Sequence, residues 1–242
     1  MSDVAGVIRV PHSDRAGTGL VAWEAMDPAT LESGAPTQRG WFCDEDPDTG
    51  YMAGVWDCTA FTDRPGAYGV DEFMLLLEGS VIMALPCGTE VTVKAGEAFV
   101  IPKGLECQWK MPGYVRKVFM IVDDPAPDQA TTEPNPSLTR VTVPDLSAAA
   151  ADPEDSVRLW FESATGQMDV SVITAASEPS ETAAAPAHEL THVLQGSLTL
   201  KTQNGAETFA AGETCYLRAG TEVARHCTPG TRLLVARYAP AA

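Results

Sequence analysis

The sequence predicts an all-β protein built from two copies of one strand-rich unit, and three observations carry that prediction. The stretch from Asp71 to Gly79, DEFMLLLEG, returns as His188 to Gly196, HELTHVLQG. The stretch from Ala95 to Gly104, AGEAFVIPKG, returns as Ala211 to Gly220, AGETCYLRAG. The shifts, 117 and 116 residues, keep the order of the two matches, as a tandem duplication would. Around both copies short apolar or alternating runs recur, broken by Gly, Pro and Asn, which is the pattern of a β-sandwich or barrel. At 242 residues the chain suits two domains of about 110 residues each.

In chain order, residues 1–50 show little periodicity and several Gly and Pro, and read as an arm packed on a barrel. Within them the acidic run 44–50 lacks the alternation and closing Glu of an EF-hand and reads as a solvated turn. The first barrel is expected over 51–125, with strands at 54–61, 73–77, 80–85, 90–93, 98–101 and 115–122. A linker rich in Pro, Ala, Thr and Asp follows over 126–155, with one short helical turn at 146–151. The second barrel is expected over 156–242, with strands at 169–174, 190–194, 197–201, 208–210, 214–217 and 232–237.

Composition narrows the partners. A formal charge of −17 repels nucleic-acid phosphates and anionic membranes at long range, although a local Arg or Lys could still hold an anionic metabolite. No N-terminal stretch joins basic residues to an apolar run, and no run approaches the roughly 18 apolar residues of a membrane span. The six cysteines lack C-x-x-C spacing, so reduced thiols in the cytoplasm are the plain expectation. The expected partner is a small molecule.

The repeated unit resembles the cupin family in both of that family's signature motifs. In the first, (His)-x-(His)-x3-Glu-x6-Gly, Glu72 precedes Gly79 and Glu189 precedes Gly196. In the second, Gly-x5-Pro-x-Gly-x2-His, Gly96, Pro102 and Gly104 match; in the second copy Gly212 and Gly220 match while Arg218 replaces the proline. The first copy is most similar to the cupins related to ureidoglycine aminohydrolase. The resemblance implies a bicupin: two tandem antiparallel jelly-roll barrels, each with a small-molecule cavity. It also leaves a homodimer open, since cupins commonly associate through sheet faces and N-terminal arms.

A metal-binding cupin supplies two His and a Glu from the first motif and a His from the second. Here those His positions hold Gly66, Tyr68 and Cys107 in the first copy, and Ala183, Ala185 and Val223 in the second. His188 and His192 stand on the opposite strand face from Glu189, by the period-two alternation of side chains. The same parity places Tyr68, Glu72 and Met74 on the cavity face of the first barrel, with Cys107 and Trp109 opposite. Lys103 at the mouth, and Arg116 or Lys117 on the returning strand, could add positive charge. Trp56 either lines the cavity or fills the core.

These residues leave three readings open. Glu72 and Tyr68 act as general acid and base without a cofactor, with Met74, Lys103, Cys107, Trp109, Arg116 and Trp56 binding the substrate. Alternatively a divalent metal is held by Glu72, Cys107 and Tyr68, as in a metal-dependent relative of the aminohydrolase. In the third, Glu72 is a buried ion-pair partner of Arg116 or Lys103 in a non-catalytic binding or structural protein. The second copy offers little polar chemistry beyond Arg218 and Arg225, a candidate carboxylate-binding pair.

Overall fold

The computed structural model describes residues 6–12, 19–123 and 153–240. Among them there is no α-helix, only strands and one 3-10 turn, Pro28–Thr30, capped by the Asp27 side chain. The expected helical turn at 146–151 and all but the last three residues of the expected linker lie outside the described residues. The chain forms two compact units, one of residues 13–144 with 163–165, the other of residues 1–12, 145–162 and 166–242.

The first unit has two antiparallel sheets. One runs, in order, Ala98–Ile101, Asp71–Glu78, Val115–Val122, Tyr51–Cys58, Gln38–Asp46 and Val21–Ala22. The other runs Glu90–Lys94, Ser80–Ala84, Glu106–Met111, Phe61–Asp63 and Leu31–Gly34, with Gly66–Ala67 also paired to Glu106–Met111. Asp71–Glu78 is a near-continuous apolar run because it lies inside its sheet, buried on both faces over its first six residues. Its register stacks Glu72 between Ile101 and Ile121, and Met74 between Phe99 and Phe119. In the facing sheet Val81, Met83, Cys107, Trp109 and Met111 alternate inward and complete the core.

The second unit repeats the plan. One sheet runs Val7–Val10, Thr214–Leu217, His188–Gln195, Arg232–Tyr238, Met168–Thr174 and Ser156–Glu162. The other runs Ala183–Ala184, Glu222–Cys227, Ser197–Thr202 and Gly205–Ala210. Its interior is packed by Val193, Leu198, Leu200, Phe209, Leu217, Val223, Leu233 and Val235.

Residues 1–50, expected as one arm, instead supply strands to both units. Val7–Val10 pairs with Thr214–Leu217, and Arg9 fastens it by lying 4.3 Å over the Phe209 ring and bonding Glu207 at 2.9 Å. Val21–Ala22, Leu31–Gly34 and Gln38–Asp46 belong to the first unit. Of the acidic run, residues 44–46 end the strand Gln38–Asp46 and residues 47–50 form the turn to Tyr51–Cys58, with the Asp46 side chain accepting from the Asp48 amide.

Candidate functional site

The first unit holds a partly open cavity of about 200 Å³ lined by Trp23, Met26, Gln38, Met52, Trp56, Phe61, Asp63, Tyr68, Glu72, Trp109, Lys117, Phe119 and Ile121. That is smaller than the roughly 300–1,000 Å³ of drug-sized sites. Three features of the sequence build it. Val115–Val122 presents Lys117, Phe119 and Ile121 on one face by strand alternation. Trp56, paired with Lys117 in register, faces inward beside it. Trp109 closes the space from the other sheet, its ring tilted 6.0 Å from that of Phe99.

At its polar end three side chains form one chain of hydrogen bonds. The Tyr68 hydroxyl donates to Glu72 Oε2, and the Lys117 ammonium donates to Glu72 Oε1 across 2.7 Å. Both members of the ion pair are buried. The Lys117 Nζ also lies 3.3 Å from Met74 Sδ and stands 4.6 Å from the Trp56 ring centroid and 4.9 Å from that of Trp109. Aromatic faces are electron-rich, so they stabilise an ammonium drawn out of water. Burial, then the neighbouring Glu72 carboxylate, push the Tyr68 phenol well above its usual value, and it stays a proton donor at neutral pH.

Sequence reasoning missed Asp63. Its carboxylate lines the same cavity with no hydrogen bond or ion pair to any described residue, and burial raises its pKa to about 6. A carboxyl whose pKa is higher folded than unfolded holds extra proton in the folded state, so it costs stability as pH rises from about 4 through 6. Asp63→Asn should therefore raise the melting temperature at pH 7.5 and change it little at pH 4.5. Equal shifts in thermal melts at both pH values would show that Asp63 is not strained by burial.

The structure separates the remaining expected residues. Trp56 and Trp109 line the cavity, and Trp56 is fixed by donating its indole N–H to Gln38 Oε1 at 2.9 Å. Met74 lies in the core beneath Lys117. Arg116 is not in the cavity lining: it faces the other way, 3.3 Å from Asp57, which also binds Arg39 at 2.6 Å and the Tyr114 hydroxyl at 2.9 Å. Burial works against the Asp57 charge, but these donors outweigh it and hold its carboxyl below the usual range. Lys103 is also outside the lining, its ammonium 2.6 Å from Asp123 and its backbone N–H on Asp71. Neither Arg116 nor Lys103 is the partner of Glu72; Lys117 is. Cys107 is a core residue whose thiol burial pushes up to about 11.

A divalent cation at Glu72 would compete with the groups already on that carboxylate: the Lys117 ammonium sits at hydrogen-bond distance from Oε1, and the Tyr68 hydroxyl donates to Oε2. Among the described residues no three His, Cys, Asp or Glu side chains group as a metal site.

In the second unit the equivalent carboxylate, Glu189, is bound by Arg225 at 2.7 Å and by Arg237 at 3.5 Å. Arg225 is thus spent on an internal carboxylate, and Arg218 does not join it there. His188 bonds the Tyr216 hydroxyl at 2.6 Å, and His192 bonds Thr214 Oγ1 at 2.9 Å, both away from Glu189.

Comparison with known proteins agrees with this architecture. Residues 45–119 match the family of the EutQ-like cupin domain. A search of curated proteins finds no match. Among solved structures, a DUF861-family protein of unknown function from Pseudomonas syringae pv. tomato superposes with a TM-score of 0.61 at 18% identity, over 96% of this chain and 98% of that one. A cupin 2 conserved barrel domain protein from Leptotrichia buccalis gives 0.60 at 10% identity, over 91% and 98%. A point mutant of salicylate 1,2-dioxygenase from Pseudoaminobacter salicylatoxidans gives 0.55 at 10% identity, over 78% and 71%. Residues 45–119 thus match a EutQ-like cupin domain, and nearly the whole chain shares its fold with solved cupin-barrel proteins.

Proposed function

We propose that the first barrel binds a small polar metabolite and carries out proton-transfer chemistry on it (isomerisation, elimination or hydrolysis), with Glu72 as base and Tyr68 as acid. The observation that carries this reading is the hydrogen-bonded chain of Tyr68, Glu72 and Lys117 opening on a cavity lined largely by aromatic and aliphatic side chains. Lys117 fixes the carboxylate through one oxygen, and the two oxygens of a carboxylate offer about four acceptor sites, so capacity remains for a substrate proton. Tyr68 returns a proton to the product, and the surrounding rings keep water from competing. The metal-dependent hydrolysis implied by the likeness to ureidoglycine aminohydrolase relatives needs ligands that Gly66, Tyr68 and Cys107 do not supply.

Tyr68→Phe is the cleanest test, because it removes one hydroxyl and leaves the Glu72–Lys117 pair intact. In a screen of small metabolites for turnover, the variant should lose about 10²–10⁴-fold in kcat while unfolding near the wild-type temperature. A second reading, a non-catalytic binding barrel, draws on the Glu72–Lys117 pair as an ordinary buried ion pair. Turnover unchanged in Tyr68→Phe would remove Tyr68 as the acid; a ligand bound without turnover in the wild type would remove the catalytic reading and favour the second.

A further inference from the structure

The charges lining the cavity do not balance. Among the described residues, Glu72 and Lys117 neutralise one another, and Asp63 is left as one carboxylate in excess. No lining side chain besides Lys117 is cationic, and Gln38 is engaged by the Trp56 indole and by the Glu24 carbonyl. A half-buried carboxylate without a partner is unfavourable, and a ligand that supplies the missing positive charge recovers that cost on binding. The rest of the lining suits such a ligand. Lys117 already shows that an ammonium rests against the faces of Trp56 and Trp109. Trp23, Phe61 and Phe119 extend the same kind of surface around the cavity.

Resting on the reading of this cavity as a binding site, we infer that its ligand is a small organic cation, a primary amine or amidinium on an apolar body, with Asp63 as its counter-ion. The Asp63 carboxylate takes the charged hydrogen bond, the rings take the apolar body and stabilise the charge, and the Tyr68–Glu72–Lys117 chain stands at the polar end. An anionic ligand would place like charge beside Asp63 with no free cation to offset it.

Three probes of nearly one shape separate the classes: benzylammonium, benzyl alcohol and benzoate. Trp23, Trp56 and Trp109 line the cavity, so intrinsic fluorescence reports occupancy. At pH 7.5 benzylammonium should bind at least about tenfold more tightly than benzyl alcohol, the scale of a charged over a neutral hydrogen bond, and benzoate more weakly still. Asp63→Asn, shown folded by circular dichroism, should erase the preference, and Asp63→Glu should keep it. Equal binding of all three probes, or a preference that survives in Asp63→Asn, would overturn the cationic class and leave the cavity as a binding site. No response to any probe would overturn both readings.

Discussion

Lys117→Met lowers the stability of the first unit by about 3–5 kcal/mol, the cost of leaving a buried carboxylate without its cation. Methionine keeps the length of the stem and its packing against Trp56 and Trp109, so the loss reports the charge rather than a cavity. Glu72→Gln costs less, because the orphaned ammonium keeps three ring faces and Met74 Sδ around it. The orphaned carboxylate of Lys117→Met keeps only the Tyr68 hydroxyl and shares its cavity with Asp63. The double variant Lys117→Met/Glu72→Gln should recover most of the loss, since the uncompensated charge leaves with its partner. Denaturant unfolding followed by tryptophan fluorescence suits the measurement, as four of the five tryptophans lie in residues 13–144. Losses that simply add in the double variant would mean the two side chains are not an energetic pair.

That pair also marks the limit of what the sequence discloses. The duplicated motifs and strand alternation were enough to read two β-units, and to place Tyr68, Glu72 and Trp109 around one space, while leaving Trp56 open between cavity and core. They could not choose between Arg116 and Lys117. The ladder to Asp71–Glu78 shifts register between those two residues, and a one-residue slip reverses which side chain faces in. Asp63 was illegible for a different reason. It ends a strand of only three residues, Phe61–Asp63, outside either motif, and enters the cavity through pairing with Glu106–Met111 and Leu31–Gly34. Val7–Val10 pairs with residues about 200 positions away, and four residues carry no periodic signal of that partnership. What depended on local pattern was visible; what depended on long-range register was not.

The motif glycines divide the same way, and the second large effect follows from that division. Gly79 and Gly96 both hold positive φ, +82° and +87°, and both are matched by glycine in the second repeat, so the sequence treats them as equivalent. The structure does not. At Gly96 an added Cβ would meet nothing within 4 Å, so Gly96→Ala bears only the left-handed backbone penalty of about 1–2 kcal/mol. At Gly79, which turns Asp71–Glu78 into Ser80–Ala84, the Cβ would lie 2.1 Å from the Tyr114 carbonyl oxygen and 3.0 Å from Val115. The obstacle is backbone at the start of the strand that carries Lys117, and it cannot turn aside as a flexible side chain would. Gly79→Ala therefore adds overpacking, roughly 1–3 kcal/mol, to the backbone penalty. Tryptophan-monitored unfolding should rank the variants with Gly79→Ala well below Gly96→Ala. Asparagine, which enters the left-handed region more readily than alanine, should rescue position 96 and fail at 79. Equal losses for the two alanine variants would show that strain in φ, and not the approach of Tyr114, sets the requirement for glycine at the end of the first motif.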